Sequence, residues 1–466
     1  MGILPTSQGR QGRVVHLSQN QHNVVLGTAG SGKSTMAVLR ALYLSLPSTR
    51  NHGPVLLVTY NNTLVTYLEY LSKNLPANVT VQTYGRFARG YLHSMGLMNW
   101  QGIAQGDQVR SLIDSAVQAV RAEGGESAVL DRDHKWIEDE IHWISGMGFS
   151  TESEYQQAAR VGRKTPLPAG TPRSIVWAVR QQYRTLRTAA GRDYDWYDIA
   201  SAVRGAIVND SREPMYRHIV IDEGQDLSPE AIRSLAEVVD PDGSVTFFGD
   251  YHQAIYGQGL SWRSSGLDLN GRQVEKFNDN YRNTRAIAEV AIAMADSGHM
   301  NSGDLDLVPP RAPKAAGGKP TLITAASRKA EIACIRELIE DAANDQSVAV
   351  LTHTRAEAEA VVRGFSYTSI AKNSLVWDGS PGIYAGTLYS AKGLEFDSVF
   401  LPFLDDDIFP RAEVLAAFGD SEACAREARL LYVGITRARS RLVMSHSGTV
   451  TRLLPENSGL WEVVAA

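Results

Sequence analysis

Short runs of apolar residues alternate along this chain with longer stretches in which apolar positions recur every three or four residues. A first series of such runs occupies residues 24–26, 55–58, 219–221 and 245–248. A second series follows the Pro/Gly-rich stretch that ends at Pro320, and occupies residues 322–324, 348–351, 399–401 and 442–444. Continuous β-rich runs between helical patterns are typical of buried parallel strands. Two such series predict two α/β domains.

The middle of the first series is interrupted by a long stretch with a different pattern. Between residues 96 and 204 the apolar positions follow a helical spacing, most clearly at residues 109–120. We therefore expect a mostly helical insertion there. The insertion divides the first α/β domain into residues 1–95 and 205–275, and residues 276–466 are predicted to form the second.

Composition restricts the class of protein. Of the 466 residues, 43% are hydrophobic and 21% charged, a balance that favours a folded core in each domain over disorder. The two cysteines, Cys334 and Cys424, lie far apart, which argues against a disulfide scaffold or a cysteine-based zinc site. No apolar run is long enough to span a membrane, and there is no signal-peptide pattern. We expect a cytoplasmic protein without membrane contact.

Positive charge is concentrated within the insertion. The net charge of the chain is −5, yet residues 155–192 contain no Asp or Glu and eight Lys or Arg residues. A helical pattern in this block predicts one apolar stripe that faces the core. It also predicts a second stripe that consists of Trp177, Arg180, Arg184 and Arg187. This second stripe suits contact with a phosphate backbone, and the alternative is a solvated helix face.

Residues 27–34 read GTAGSGKS and fit the pattern G-x-x-x-x-G-K-[ST]. They follow an apolar run directly and precede a helical pattern, which is the strand–loop–helix setting that a phosphate-binding loop requires. A merely structural glycine-rich turn is the alternative. The nucleotide-binding residues predicted from this segment are Gly27, Gly30, Ser31, Gly32, Lys33, Ser34 and Thr35. Lys33 is expected to contact the β- and γ-phosphates of ATP, and the Ser34 hydroxyl to hold Mg²⁺.

Two carboxylates, Asp222 and Glu223, end the apolar run at residues 219–221. At the carboxyl edge of a parallel sheet they would face the ligand crevice. Asp222 is predicted to hold Mg²⁺, and Glu223 to position and deprotonate the attacking water. Acidic residues at a strand end also occur as plain turn residues, so this assignment depends on the nearby phosphate-binding loop.

Six further segments occur in a fixed order: LSQNQ, IDEGQD, GDYHQAIYG, NYRNT, TLYSAKGLEFD and YVGITRA. Together with the phosphate-binding loop they resemble superfamily 1A DNA helicases of the UvrD/Rep/PcrA type, from about Leu17 to the end of the chain. The resemblance implies two RecA-like P-loop NTPase lobes, 1A and 2A, with the insertion termed 1B in the first. It further implies that ATP binds between the lobes, that single-stranded DNA crosses both, and that movement is 3′-to-5′.

The resemblance also implies roles for single residues in the ATP site. Gln21 is expected to hydrogen-bond adenine, Tyr281 to stack on that base, and Glu395 to meet the ribose. The residues expected to act in catalysis are Lys33, Glu223, Gln253, Arg282 and Arg437. Gln253 would sense the γ-phosphate.

Arg282 and Arg437 would reach the γ-phosphate from lobe 2A, Arg437 as the arginine finger. Planar guanidinium groups stabilise charge on phosphoryl oxygens well. Because Lys33 and Glu223 come from lobe 1A, the site would be complete only when the lobes close, and hydrolysis would be coupled to lobe motion. A surface arginine is the alternative for Arg437.

The expected DNA contacts are less specific. They are Tyr60, Thr83, Tyr84, Tyr256, Trp262 and Tyr389, together with the stripe arginines Arg180, Arg184 and Arg187. Stacking of a base on an aromatic ring is worth roughly 1–3 kcal/mol, so each aromatic residue in this set matters. DNA that is wholly or partly single-stranded is therefore the expected partner.

Three departures from the family pattern limit the expectation. Gln258 stands where the family has a stacking tryptophan, and Tyr389 replaces the histidine of TLHSAKG. Only 22 residues separate Gly364 from Thr387, so a 2B domain is expected to be absent or vestigial at residues 365–386. In this family 2B bears on duplex contact and self-regulation. A translocase or DNA-stimulated ATPase is therefore at least as strongly indicated as an unwinding enzyme that acts alone.

The sequence thus predicts an Mg²⁺- and ATP-dependent translocase or helicase. The alternative is a DNA-stimulated ATPase subunit that gates a partner nuclease in repair or antiphage defence. Only 29 residues follow Arg437, which leaves no room for a fused nuclease domain, so a separate chain would have to cut DNA. A binding module with an inert ATP site is disfavoured by the intact catalytic set.

Overall fold

The computed structural model describes residues 11–60, 65, 75–99, 101–255, 262–271, 273–300, 307–370, 379–456 and 458–466. The chain begins with strands and helices that alternate. In order they are α1 (Gln11–Val15), β1 (Asn23–Gly27), α2 (Lys33–Ser45), β2 (Val55–Thr59), β3 (Val79–Thr83) and α3 (Tyr84–Ser94). Thr83 caps α3, because its hydroxyl accepts a hydrogen bond from the Arg86 N–H at 3.2 Å.

The part of the chain that follows is mostly helical, as the apolar spacing predicts. Its elements are β4 (Ile103–Ala104), α4 (Asp107–Ala122), a 3₁₀ turn (Ala128–Asp131), α5 (His134–Met147), α6 (Glu152–Gln157), α7 (Thr171–Ala189) and β5 (Tyr194–Asp195). β4 and β5 pair in parallel and bring the two ends of this segment together. The apolar stripe of α7 packs into a separate core that contains Trp136, Trp143 and Tyr155.

The chain then returns to the first lobe. Its remaining elements are α8 (Ile199–Ile207), β6 (Tyr216–Ile221), α9 (Pro229–Val238), β7 (Val239–Gly249) and β8 (Glu275–Phe277). The six strands form a parallel sheet in the order β3-β2-β6-β7-β1-β8. β8 extends to Phe277, two residues beyond the end predicted for this domain.

The second lobe contains the rest of the described chain. Its elements are α10 (Arg285–Ala295), β9 (Thr321–Thr324), α11 (Arg328–Ala342), β10 (Ser347–Thr352), α12 (Arg355–Val362), β11 (Tyr367–Ser369), β12 (Gly382–Thr387), β13 (Phe396–Leu401), α13 (Ala412–Phe418), α14 (Asp420–Ile435), β14 (Ala438–His446) and β15 (Glu462–Ala465). Seven strands form a second parallel sheet, in the order β11-β12-β10-β13-β14-β9-β15.

The central strands of each sheet are buried on both faces, which explains why they read as continuous apolar runs. In β6, Val220 packs on one face with the side chains of α2, whereas Ile219 and Ile221 pack on the other with α8 and α9. The predicted α/β class with two parallel sheets is confirmed. Since β1, β6 and β7 are parallel neighbours, their carboxyl ends meet at one edge, and the candidate site lies there.

Candidate active site

The phosphate-binding loop of residues 27–34 lies at the carboxyl end of β1, and α2 begins within it at Lys33. Two of its glycines have left-handed backbone, with φ of 73° at Gly30 and 82° at Gly32. A side chain at Gly30 would also overlap Oδ1 of Asn280. Glycine at position 30 is therefore required both for backbone conformation and for space.

The side chain of Lys33 is buried and points into this loop. Its ammonium group donates to the carbonyl oxygens of Gly27 at 3.2 Å and Thr28 at 2.7 Å, and it lies 3.4 Å from Oδ2 of Asp250. Within the described part of the chain, the buried hydroxyls of Thr28 and Ser31 have no hydrogen-bond partner. A cation, unpartnered hydroxyls and a helix N-terminus together favour an anion such as a phosphate group.

The carboxylates that follow β6 have opposite electrostatic environments. Glu223 has a left-handed backbone with φ of 53°, a strain of roughly 1–3 kcal/mol that is typical of functional positions. Burial by itself raises the pKa of Glu223, but the positive charges of Lys392 and Lys33 outweigh burial and lower it. Glu223 is thus ionised near neutral pH, as a group that accepts a proton from water must be.

Asp222 is completely buried, and neither of its carboxylate oxygens has a hydrogen-bond partner among the described residues. Burial, and then the charge of Glu223, raises the pKa of Asp222 to about 7, while the nearby Ser34 opposes this shift. Ser34 and Thr35 lie half-buried in the first turn of α2. A buried carboxylate without a partner beside a hydroxyl fits a hard divalent cation such as Mg²⁺.

Asp250 follows β7 and joins the phosphate-binding loop to Gln253. Burial raises the pKa of Asp250, but the charge of Lys33 and the hydrogen bonds with His252 and Gln253 together outweigh burial and lower it, so the carboxylate is ionised. Its Oδ2 accepts a hydrogen bond from Nε2 of Gln253 at 2.6 Å, and its N–H donates to Oε1 of Gln225 at 2.9 Å. These bonds fix the orientation of the Gln253 amide, whose oxygen then points away from Asp250.

Arg437 of the second lobe meets that amide oxygen. Its Nη2 donates to Oε1 of Gln253 at 2.6 Å, and its other nitrogens donate to the carbonyl oxygens of Val433 at 3.0 Å and Leu394 at 3.2 Å. The side chain is 1% exposed. Burial, followed by the charge of Arg282, lowers the pKa of Arg437 to about 10. The guanidinium group therefore keeps its charge at neutral pH inside the contact between the lobes.

A second polar bridge between the lobes lies next to the first. Lys392, which follows β12, forms a buried ion pair with Oδ2 of Asp226 at 2.6 Å. The same ammonium group donates to the backbone carbonyl of Gln253. Lys392 is also the largest electrostatic influence that lowers the pKa of Glu223. The sequence prediction missed Lys392. Its position in the segment SAKGLEF, which also contains the predicted ribose contact Glu395, could have indicated that it lies in the site.

The segment of residues 280–284 lies between the phosphate-binding loop and the start of β14, which Arg437 precedes. The N–H of Tyr281 donates to the carbonyl of Gly30 at 2.9 Å. The amide of Asn283 donates to the carbonyls of Thr436 at 3.3 Å and of Ala438. This segment therefore joins both halves of the site, and the half-exposed Tyr281 ring lies at its edge.

Three further residues predicted to contact the nucleotide are Arg282, Glu395 and Gln21. Nε of Arg282 donates to Oε2 of Glu395 at 2.6 Å, so the residues predicted for the γ-phosphate and the ribose pair with each other. The predicted adenine contact Gln21 has a buried Oε1 that lacks a partner within the described ranges. An unpartnered amide oxygen suits the exocyclic amine of adenine.

The predicted DNA contacts are only partly at the surface. Tyr60 is 38% exposed. Tyr84 and Trp262 are buried in the core of the first lobe, and the Tyr84 hydroxyl lies 2.8 Å from Oγ of Ser234. A contact of DNA with either ring would therefore require the surrounding side chains to move, and the predicted contacts of Tyr84 and Trp262 stay predictions. Tyr256 lies outside the described residues.

Tyr389 and Thr83 occupy intermediate positions. Tyr389 packs against the core of the second lobe, 6.1 Å from the ring of His353, which pairs with Oε2 of Glu427 at 3.0 Å. Burial, and then Glu427, raises the pKa of Tyr389 to about 12. Thr83 is half-buried at the start of α3.

The arginines of the α7 stripe differ in their exposure to solvent. Arg184 is exposed, but Arg187 is buried and pairs with Asp195 at 2.8 Å and Asp198 at 2.7 Å. Arg180 is also buried, with its guanidinium carbon 4.8 Å from the centre of the Trp177 ring. The prediction of a continuous phosphate-contacting stripe is wrong for Arg187, because two carboxylates that follow α7 neutralise it.

Several other arginines among residues 155–192 likewise make ion pairs or hydrogen bonds within the protein. Arg160 pairs with Glu140, Arg163 pairs with Asp139, and Arg173 donates to three backbone carbonyls. Each of these side chains holds the insertion together. The eight positive charges therefore do not form one external surface.

Two exposed aromatic residues that the sequence prediction missed lie after β5. Trp196 is 41% and Tyr197 40% exposed. Tyr197 stacks on His142 with ring centres 3.4 Å apart, and Trp196 lies against Gly85 at the start of α3. Burial, and then the nearby Tyr60, raises the pKa of Tyr197. The segment DYDWYD was the sequence signal for these two aromatic residues.

Comparison with known proteins identifies two matching family models. Residues 11–258 match a model described as an AAA domain, and residues 378–449 match the model of the UvrD-like helicase C-terminal domain. The first match includes the phosphate-binding loop and Gln253, and the second includes Lys392 and Arg437. Among the helices of the described residues, none is long and apolar enough to cross a membrane.

Three curated proteins illustrate the similarity. The chain is 25% identical, over 90% of its length, to the ATP-dependent DNA helicase UvrD2 of Mycobacterium tuberculosis H37Rv, of which it covers 76%. It is 35% identical over 24% of its length to UvrD1 of Mycobacterium leprae, covering 15% of that protein, and 32% identical over 20% to PcrA of Staphylococcus aureus, covering 13%.

The comparison with UvrD2 also bears on chain length. Its alignment spans 541 positions, whereas 90% of 466 residues is about 419, so roughly 120 positions lie opposite gaps in this chain. Within the aligned region, this sequence is therefore shorter than UvrD2. Since the matched family models carry both halves of the nucleotide site described above, the chain belongs to the UvrD/Rep/PcrA-like family of DNA helicases.

Proposed function

We propose that this protein is an ATP-driven motor that moves along single-stranded DNA with 3′-to-5′ polarity. The observation that carries the proposal is the hydrogen bond between Arg437 and Gln253, which joins the two lobes inside the candidate site. On the first lobe it continues through Asp250 to Lys33. A site that draws its charged groups from two bodies ties its chemistry to their relative position.

Each side chain has a role that follows from its surroundings. Lys33 and the loop N–H groups bind the β- and γ-phosphates at the N-terminus of α2. Glu223 orients the attacking water and accepts its proton, since its pKa is lowered by Lys392 and Lys33. Arg437 and Arg282 stabilise the negative charge that develops on the transferred phosphoryl group, to which planar guanidinium groups donate well.

Ser34 and Asp222 are the residues that would hold Mg²⁺. Their fit rests on the buried, unpartnered carboxylate of Asp222 described above. When bound with ATP, this cation supplies positive charge that neutralises the phosphate oxygens. Gln21 would bind adenine and Glu395 the ribose. For Glu395 this requires that its ion pair with Arg282 be exchanged for contacts with the nucleotide.

The nucleic-acid face is proposed to include Tyr60 on the first lobe and Trp196 and Tyr197 near the end of the insertion, with the exposed Arg184 of the insertion as a cation. Burial, and then the charge of Asp226, raises the pKa of Tyr60, so the ring lies close to Asp226. Asp226 in turn pairs with Lys392. A base that stacks on Tyr60 would thereby act on the polar bridge that controls Glu223, which gives a physical route from DNA to hydrolysis.

Steady-state ATPase assays on the purified chain test the proposal. ATP turnover should be slow alone and rise strongly with a single-stranded oligonucleotide, and Lys33→Ala should abolish it. Displacement assays on duplexes with a 3′ or a 5′ single-stranded tail would establish polarity. If oligonucleotide leaves turnover unchanged while an added nuclease subunit raises it, the motor is rejected in favour of the regulatory alternative.

A further inference from the structure

One helix of the insertion, α5, contacts both lobes. At its carboxyl end, Arg233 of α9 in the first lobe donates to the backbone carbonyl of Met147. In its first half, Lys135 pairs with Glu413 of α13 at 3.1 Å, and Asp139 pairs with Arg426 of α14 at 2.8 Å. A helix of 14 residues is about 21 Å long. α5 therefore spans the distance between the two lobes.

The contact with the second lobe has a buried centre. Phe418, at the end of α13, packs in the same apolar cluster as Trp136 and Trp143 of α5. Around it, the N–H of Thr165 donates to Oε2 of Glu422 at 2.8 Å, and the Thr165 hydroxyl lies 2.7 Å from the same oxygen. We call this contact the latch; it consists of Lys135, Asp139 and Thr165 on the insertion and Glu413, Phe418, Glu422 and Arg426 on the second lobe.

The latch is connected rigidly to the nucleotide site. Glu422 and Arg426 lie in the first half of α14, which ends at Ile435, and Arg437 follows two residues later. Tyr432, near the carboxyl end of this helix, is completely buried, and its ring centre lies 5.7 Å from that of His252, which follows β7 in the first lobe. Since α14 is a single uninterrupted helix, displacement of Arg437 from the first lobe must also displace the latch residues.

The contacts that α5 makes at its two ends differ in their exposure to solvent. Its carboxyl end is held through Arg233, whose Nε also pairs with Glu230 at 2.8 Å, and the insertion is further anchored where Ile103 of β4 and Tyr194 of β5 pack in the core of the first lobe. The outer part of the latch consists of the solvent-exposed pair Lys135–Glu413 and the partly exposed pair Asp139–Arg426. Water and salt screen such pairs. Because the chain enters the insertion from the first lobe and returns to that lobe, separation of the lobes would break the latch and leave α5 attached to the first lobe.

We propose that the latch between α5 and α13–α14 is an intramolecular switch governed by the nucleotide state of the site between the lobes. It is engaged while Arg437 contacts the first lobe, and it opens when Arg437 withdraws. This inference rests on the proposed nucleotide cycle. The lobe separation that product release requires must open the latch, so a permanently closed latch would block turnover.

The first test measures latch opening without relying on hydrolysis. Lys135→Cys and Glu413→Cys would be combined in a background that carries Cys334→Ser and Cys424→Ala, and both new thiols labelled with pyrene maleimide. The excimer-to-monomer ratio would be recorded without nucleotide, with ADP and with a non-hydrolysable ATP analogue. We expect a change of roughly twofold or more between at least two of these states. The same ratio in all three, with nucleotide binding shown separately, overturns the proposal.

The second test closes the latch covalently. A short cross-linker that joins the two thiols and contains a reducible disulfide should lower oligonucleotide-stimulated turnover about tenfold or more, and reduction should restore it. Unchanged turnover after complete cross-linking also overturns the proposal. If the reduced protein never hydrolyses ATP, the proposed function fails, whereas the excimer result still decides the latch.

Charge exchange supplies a matched control that keeps the chain intact. Glu413→Lys places two ammonium groups opposite each other. With pyrene labels at other exposed sites of α5 and α13, the excimer-to-monomer ratio should shift toward the value of the open state. Lys135→Glu combined with Glu413→Lys restores an opposite pair and should restore the closed signal. Failure of the double variant to recover, with the single variant shifted, would contradict an electrostatic latch.

Discussion

Arg437 donates a hydrogen bond from Nη2 to Oε1 of Gln253 at 2.6 Å, and through this bond the second lobe contacts the catalytic edge of the first. Gln253 in turn donates to Asp250, which lies 3.4 Å from Lys33. The four side chains form a continuous buried chain from the phosphate-binding loop to the other lobe. Any rotation of one lobe against the other must lengthen or break a bond in this chain.

Arg437→Ala should leave nucleotide binding nearly intact and lower oligonucleotide-stimulated turnover by roughly 10³–10⁵, because the guanidinium group acts on charge that develops during phosphoryl transfer. Turnover and nucleotide affinity would be measured on the same preparation. Arg439→Ala, two residues later at a half-exposed position, is the matched control and should keep most activity. Equal losses of affinity and turnover in Arg437→Ala would contradict the finger role.

The buried pair of Lys392 and Asp226 makes a different prediction. Lys392→Met should cost roughly 3–5 kcal/mol, because it leaves the Asp226 carboxylate buried without its cation. It should also shift the pH profile of turnover to higher pH, since Lys392 lowers the pKa of Glu223. Urea unfolding and pH–rate measurements check the two effects.

The double variant Lys392→Met with Asp226→Asn is the control for this pair. It removes both charges and should recover most of the stability but not the normal pH profile. If the double variant is as unstable as the single one, the cost does not come from an unpaired carboxylate.

The sequence predicted the parts of the site that depend on local pattern. The phosphate-binding loop, the carboxylates after β6 and Arg437 lie in short motifs, and their spacing to an apolar run predicts which edge of the sheet they occupy. The family resemblance assigned Gln253 and Arg437 separately to the γ-phosphate and did not predict that they pair across 184 residues. Spacing alone does not encode it, because it depends on how the lobes pack.

The contacts of the insertion were predicted less well. A helical period puts Arg184 and Arg187 on one stripe, but it does not reveal that the chain turns back after α7 and brings Asp195 and Asp198 against Arg187. In the same way, aromatic residues in family motifs were expected at the surface, whereas Tyr84 completes the core of the first lobe. Burial depends on tertiary neighbours, which a motif does not specify.

Arg187 and Arg184 should therefore behave differently. Arg187→Gln leaves two neighbouring carboxylates buried and should destabilise the fold by roughly 3–5 kcal/mol. Arg184→Gln should change stability by no more than about 0.5 kcal/mol, and should reduce the slope of log affinity for single-stranded DNA against log salt by about 0.7 if it contacts one phosphate. Urea unfolding and anisotropy titrations at several salt concentrations distinguish the two. Similar stabilities of the two variants would refute the buried role of Arg187.

Trp196→Ala should weaken binding of a single-stranded oligonucleotide by roughly 1–3 kcal/mol, the loss expected for one base that stacks on an aromatic ring. The salt slope should stay unchanged, because no phosphate contact is removed. Trp196→Phe retains a flat ring and is the conservative control. Fluorescence anisotropy titration at fixed salt measures the effect, and wild-type affinity in Trp196→Ala would exclude this face from the DNA path.

His218 makes a prediction about pH and stability. It is completely buried on β6, where Nε2 lies 2.6 Å from the carbonyl of Asn51 and Nδ1 lies 3.0 Å from Oγ of Ser244. Burial lowers the pKa of His218 to about 4, from 6.5 in an unfolded chain, although the Asn51 carbonyl opposes the shift. Between these two pH values the unfolded chain binds a proton that the folded one does not. The contribution of His218 to the free energy of unfolding should therefore be complete above pH 6.5 and decrease as the pH drops toward 4. The slope of this decrease is at most about 1.4 kcal/mol per pH unit.

The variant His218→Gln isolates this contribution. It should cost about 1–3 kcal/mol at pH 8, where its hydrogen bonds are lost or strained, and the difference from wild type should shrink as the pH falls from 6.5 to 4, because glutamine does not titrate. Urea midpoints across this range measure the difference, and His52→Gln at an exposed position is the control. A difference that stays constant over the whole window would mean that His218 takes up a proton equally in the folded and unfolded chains, so that burial in β6 does not hold it neutral.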